Sequence, residues 1–142
     1  MFHVLNLLNN QTINLRGSLL GFEQLYHFQL SRVDEQSPFV YLQSLDEENI
    51  GFLAVSPFEF FQDFALTLSE SDKKELNIDN PEQVLVLGLI TMKEPFILST
   101  INLLAPLVIH IEQQHGKQII LSEHYQAKTQ LFAQQPLKES GE

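Results

Sequence analysis

The chain contains no cysteine, which excludes disulfide frameworks, thiolate metal sites and cysteine nucleophiles at once. It has no tryptophan and few cations, 8 Lys and Arg against 18 Asp and Glu, for a formal net charge of −10. A chain so short of positive charge lacks the phosphate-neutralising patch that direct binding to nucleic acid requires. No apolar run approaches the roughly 18–20 residues of a membrane-spanning helix. The opening Met1-Phe2-His3-Val4-Leu5-Asn6 lacks the basic start and small-residue cleavage site of a secretory leader. Catalytic signatures are missing too: there is no GxSxG elbow, phosphate-cradling glycine loop, dinucleotide fingerprint or HExxH pair. The expectation is a cytoplasmic protein that is not an enzyme and uses no cofactor or metal.

What is present suits a folded domain. Of 142 residues, 44% are apolar and 18% charged, enough for one hydrophobic core and too apolar for disorder. The pattern is mostly strand. Phe2–Leu8 and Thr12–Leu15 flank Asn9-Asn10, residues that tolerate positive φ, and so predict a hairpin. Further strands are predicted at Leu25–Leu30, Phe39–Leu45, Gly51–Val55, Phe64–Leu68 and the apolar run Val84–Met92, with a closing hairpin of Leu107–Glu112 and Lys117–Leu121. In that hairpin either Val108, His110 and Glu112 or their alternates face inward; composition does not choose.

Two short helical pieces interrupt the strands. Ser69 with Asp72 three residues on is close to a capping box and starts a helix running to about Leu76. Asn80-Pro81 places a cap before a proline at the first helical position, for a single turn. Short strands at regular spacing, with little helix, predict a mainly β fold: an antiparallel barrel or roll with one or two short helices. From Tyr125 onward the chain is polar and Gln-rich, and a frayed tail is expected.

The acidity is concentrated. Residues 34–82 hold 12 carboxylates and two lysines and therefore carry −10, while the other 93 residues balance. Such a one-sided field speeds encounter with basic partners, and it also serves simply to keep an apolar domain soluble. Six of the eleven Phe lie in the same stretch, between Phe39 and Phe64. The cluster Pro57-Phe58-Glu59-Phe60-Phe61 is hard to bury whole, because a turn after Pro57 fans its rings around the chain. Either every ring is core, or one remains at the surface beside Glu59 and Asp63, as at an interaction site.

Several segments, read in order, carry a family resemblance. They are Gly21-Phe22-Glu23; Ser37-Pro38-Phe39 with Leu42-Gln43-Ser44; Pro57-Phe58 with Phe60-Phe61; Lys93-Glu94-Pro95-Phe96; Asn102-Leu103 with Ala105-Pro106; and Gly116-Lys117-Gln118. Their order and spacing over about residues 16–125 resemble the flagellar assembly factor FliW family. Leu20 stands where the family usually has Pro, and His110 where it often has Asn. The resemblance implies a single β domain over 1–125, with 126–142 as a tail, and a protein that is a monomer when free. It further implies two mutually exclusive partners: flagellin, held before export, and CsrA, an RNA-binding translational repressor that the family antagonises. On this reading Phe58, Phe60 or Phe61 supplies an apolar anchor, and Asp46, Glu47, Glu48, Glu59 or Asp63 supplies steering charge. The segment from Asn102 to Pro106 either lines a groove or shapes a strand entry, and Glu23 and Lys117 are either paired or displayed. The competing class is a small-ligand-binding or hydrolytic β-barrel, which requires a deep pocket with converging polar groups.

Overall fold

The computed structural model describes residues 2–121 and 124–132. A short helix α1 (His3–Leu8) opens the chain. It is followed by β1 (Gln11–Asn14), β2 (His27–Arg32), β3 (Val40–Ser44), β4 (Gly51–Val55), α2 (Glu70–Leu76) and β5 (Val84–Thr91). The chain continues through β6 (Thr100–Ile101), β7 (Leu107–His110), β8 (His115–Gln118) and β9 (Thr129–Gln130). Single 3-10 turns occur at Pro57–Glu59, Pro81–Gln83 and Phe96–Leu98. The strand order β4-β3-β2-β1-β8-β7-β5, together with a β4–β5 pairing, closes a seven-stranded barrel. All its neighbours are antiparallel except the β1–β8 junction, where Asn14 meets His115 in parallel. The small β6–β9 pair hangs from the far end of β5. The mainly β barrel with two short helices is the architecture that the strand spacing predicts.

Two apolar cores explain why β5 and β7 read as continuous apolar runs. Side chains alternate across a strand, so Leu85, Leu87, Leu107 and Ile109 enter the barrel, with Phe28, Leu30 and Leu42. Val86 and Val108 point outward into a second cluster with Leu76 of α2, Phe64, Ile101 and Leu131. Both faces of β7 are therefore dry, no residue of it being exposed, and β5 is buried from Leu85 to Gly88. His110 accordingly lies buried on β7, its Nδ1 accepting from the Gln113 amide, while His115 Nε2 donates to the Leu76 carbonyl. Glu112 is exposed in the turn between β7 and β8.

Three local expectations differ from the structure. Phe2–Leu8 is not the first arm of a hairpin but contains α1, which buries Leu5 and Leu8 three residues apart over the barrel. A short apolar run without alternation fits either a strand or a helical turn, and tertiary contacts decide. Arg32 donates to Asn6 Oδ1 at 2.6 Å and lies 5.0 Å over the Phe2 ring, pinning the helix. Among the described residues Phe64–Leu68 pairs with no strand, although it alternates buried and more exposed side chains as a strand does. The expected frayed tail begins too early: Thr129–Gln130 forms β9, and Leu131 is fully buried. Residues 133–142 lie outside the described residues.

Candidate functional site

β4 ends in Ser56-Pro57 because proline cannot donate to the ladder. The chain folds at once into a 3-10 turn, with Pro57 buried and its carbonyl accepting from the Phe60 and Phe61 amides. That turn distributes the aromatic cluster over three environments. Phe60 is half-buried, 5.8 Å from the Phe39 ring and 5.6 Å from Phe132. Phe61 is half-buried against the outer core. Phe58 is 51% exposed. It stands edge-on to the buried Phe64 at 5.2 Å, which in turn lies 4.9 Å from Tyr125. Phe58 is thus an apolar ring held on a rigid aromatic base, flanked in sequence by the exposed Glu59 and Asp63. Of the two readings open for this cluster, the structure takes the one with a surface ring.

The acidic turn is elsewhere. Asp46, Glu47 and Glu48 join β3 to β4 and lie at the opposite end of β4 from Pro57, about 16 Å away along five extended residues. Asp46 is committed to the fold: its Oδ2 accepts from the Tyr26 and His27 amides at 2.7 and 3.0 Å, and those bonds hold its carboxyl below the ordinary carboxylate range. Glu47 and Glu48 are exposed.

The segment Asn102–Pro106 shapes a strand entry. Asn102 Oδ1 accepts from the Leu104 and Ala105 amides, and Pro106 is buried with its carbonyl accepting from Ile119. Lys117 is paired: it reaches Asp72 at 3.0 Å and Glu75 at 2.9 Å, fastening α2 to β8, and these two carboxylates raise its pKa. Glu23 is displayed at the surface, accepting from the Gly21 amide. The amide of Leu20 donates to Gln118 Oε1, so the turn is held there without the family's proline.

Sequence reasoning missed a neighbouring apolar ledge. Phe96, Ile97 and Leu98 form an exposed 3-10 turn, with Met92 exposed at the end of β5. Phe96 lies 5.8 Å from Phe39 and 5.9 Å from Phe132, joining this ledge to Phe60. The signal was available, since three successive apolar residues between Pro95 and Ser99 have no alternation that would bury them. Phe58 itself lines an apolar groove of about 430 Å³ that runs past Leu66, Leu68, Ile78 and Val86. The axis of the barrel, by contrast, is packed with side chains such as Phe28, Leu42 and Leu107, all essentially inaccessible.

This architecture matches known proteins. A flagellar assembly factor FliW from Bacillus subtilis strain 168 is 40% identical over 119 residues, covering 84% of this chain and 83% of that protein. Another from Clostridium tetani is 40% identical over 124 residues, covering 87% and 86%. A crystal structure of the flagellar assembly factor FliW superposes with a TM-score of 0.80 at 30% identity, covering 90% of this chain and 88% of that one. The family model described as FliW protein matches residues 1–131, and with these relatives it shows that the chain belongs to the FliW family.

Proposed function

We propose that this chain serves flagellar assembly as a binding protein of the cytoplasm. It holds flagellin and, when flagellin is scarce, binds CsrA and antagonises its repression of translation. The two ligands exclude one another, so linkage makes the pool of free CsrA depend on the pool of flagellin. No bond is made or broken in this scheme. The observation that carries the reading is Phe58, half exposed on a buried aromatic base within the segment that holds the whole net charge of −10. An aromatic anchor seated on Phe64 sets the off-rate, in a turn that the Phe60 and Phe61 amides close on the Pro57 carbonyl. Glu59 and Asp63 beside it, and Glu47 and Glu48 at longer range, steer a basic partner and set the salt dependence of the on-rate. Asp46 adds its charge to that field from a fixed position, while Asn102 and Pro106 act on binding only through the fold. The packed barrel axis favours this scheme over a ligand-binding or hydrolytic barrel.

The test is to mix the purified protein with CsrA and, separately, with flagellin, and to size the products. A complex with each is expected, and flagellin added to the preformed CsrA complex should release CsrA. Inertness of the folded protein toward both, or a stable ternary complex, contradicts the proposal.

A further inference from the structure

β5 is used unequally along its length. On one side it pairs with β7 from Val84 to Leu87 and with β6 at Ile90 and Thr91. On the other side it meets β4 only at Gly88 and Leu89. The register decides which backbone groups face which side. The Ile111 amide donates to the Gln83 carbonyl, and hydrogen-bonded pairs recur at every second residue. Leu85 and Leu87 therefore bond toward β7, whereas Val84, Val86 and Gly88 turn their backbone groups toward β4. Gly88 meets Val55 there. The next partner in register for Val86 is Pro57, which has no N–H and whose carbonyl is occupied within its own turn. The Val84 amide is taken by the Pro81 carbonyl. Among the described residues, the Val84 carbonyl and both backbone groups of Val86 are left facing the groove beside Phe58 without a strand partner.

A second unpaired stretch lies along the same groove. Leu66, Thr67 and Leu68 line it, and their amides and carbonyls take part in no backbone hydrogen bond among the described residues. Exposure alternates along them with the period of extended chain. An open strand edge and an unpaired extended segment thus border one apolar slot.

We infer that this slot receives an extended segment of a partner protein as an added strand on the open edge of β5. Its side chains are apolar at alternate positions, and Lys or Arg stands at its ends. The backbone argument selects a strand, because a helix satisfies its own amides and carbonyls and leaves those of Val86 unmet. The alternation follows from the slot's apolar walls. The basic ends follow from the charge around it: the slot's own cation, Lys73, pairs with Glu70 at 3.3 Å and the two cancel, which leaves Asp79 in the lining and the exposed Glu59 and Glu82 next in sequence to the lining residues Phe58 and Pro81. The inference goes beyond the function proposed above by stating how the partner's backbone is read. Its test uses neither flagellin nor CsrA, so either idea can fail without the other.

The probe is a fluorescent peptide of alternating valine and threonine closed by lysines at both ends, titrated into the full chain by anisotropy. Amide hydrogen exchange is mapped by NMR on the unaltered protein, so no variant has to fold. Binding is expected with slowed exchange at Val86 and at Leu66–Leu68. N-methylation along one edge of the peptide should weaken binding at least about tenfold, as the loss of one or two backbone hydrogen bonds requires, and glutamates in place of the lysines should weaken it further at low salt. A Thr67→Pro variant, which removes one slot amide, should reduce the affinity. The inference is overturned if protection appears elsewhere, if the N-methylated peptide binds equally well, or if a lysine-capped helical peptide of alanine and leucine binds as tightly.

Discussion

The two ends of β4 make opposite use of similar residues. At the end reached from β3, an acidic turn is closed upon itself. Asp46 accepts from two amides, Ser44 Oγ accepts from the Asp46 and Glu47 amides, and the Gln43 side chain donates to the carbonyls of Ser44, Glu48 and Ile50. At the other end the ladder stops at Pro57, and an aromatic ring, an apolar groove and unpaired backbone remain open. Both ends are acidic. Carboxylates that bind backbone define a turn, while those with nothing to hold are free to act on another molecule. A count of charge locates the region but not the site within it.

The largest test of this contrast pairs two phenylalanines at the open end. Phe64→Ala empties a buried position and should cost about 3–5 kcal/mol in urea denaturation. Phe58→Ala, six residues earlier in the chain but half exposed, should cost less than about 1 kcal/mol. Equal losses would show that Phe58 is core after all.

Lys117→Met removes the tie between β8 and α2, and with it about 1 kcal/mol. Since the pairing raises the lysine's pKa above its ordinary 10.5, this contribution is complete below about that pH. It fades as pH climbs through the raised value. Melting curves of wild type and variant should therefore converge in strong alkali.

Charge at the open end should matter to association and not to folding. Replacing Glu59 and Asp63 by Gln and Asn should leave denaturation within about 0.5 kcal/mol. It should also slow association with a basic partner several-fold at low salt, an effect that vanishes at high salt. Stopped-flow mixing over a salt series reads this directly.

The smallest effect belongs to the closed end. The amides of His27 and Tyr26 depress the Asp46 pKa, so its contribution is present above the unfolded value of 3.8 and disappears as pH falls through the lower folded value. Asp46→Asn should flatten the acid limb of the stability curve and leave partner affinity at neutral pH nearly intact. A large loss of affinity with unchanged acid stability would move the binding site to this turn.

Features coded by neighbouring residues are legible in the sequence itself. Ser69 caps α2 by accepting from the Asp72 amide, and Asn80 caps the single turn that Pro81 opens. The β5 run stands where its pattern places it, and the β7–β8 hairpin forms as expected but with an earlier turn, its second arm at His115–Gln118 and not at Lys117–Leu121. What escaped depends on residues distant in the chain. α1 is helical where Arg32 and the barrel mouth receive it. Phe64–Leu68 has strand alternation but no strand paired to it among the described residues, and Thr129–Gln130 looks like tail until β6 pairs with it. The aromatic cluster was narrowed to a few rings, but only the contacts of Phe60 with Phe39 and Phe132, and of Phe58 with Phe64, show which ring stays outside.

The central claim, that the open end of β4 is where partner proteins are held, is tested most directly by isothermal titration of Phe58→Ala with CsrA and with flagellin, alongside a melting curve. The account predicts at least about a tenfold weaker Kd for one or both partners, equivalent to about 1.4 kcal/mol, at a nearly unchanged Tm. Wild-type affinity for both in the folded variant would contradict it.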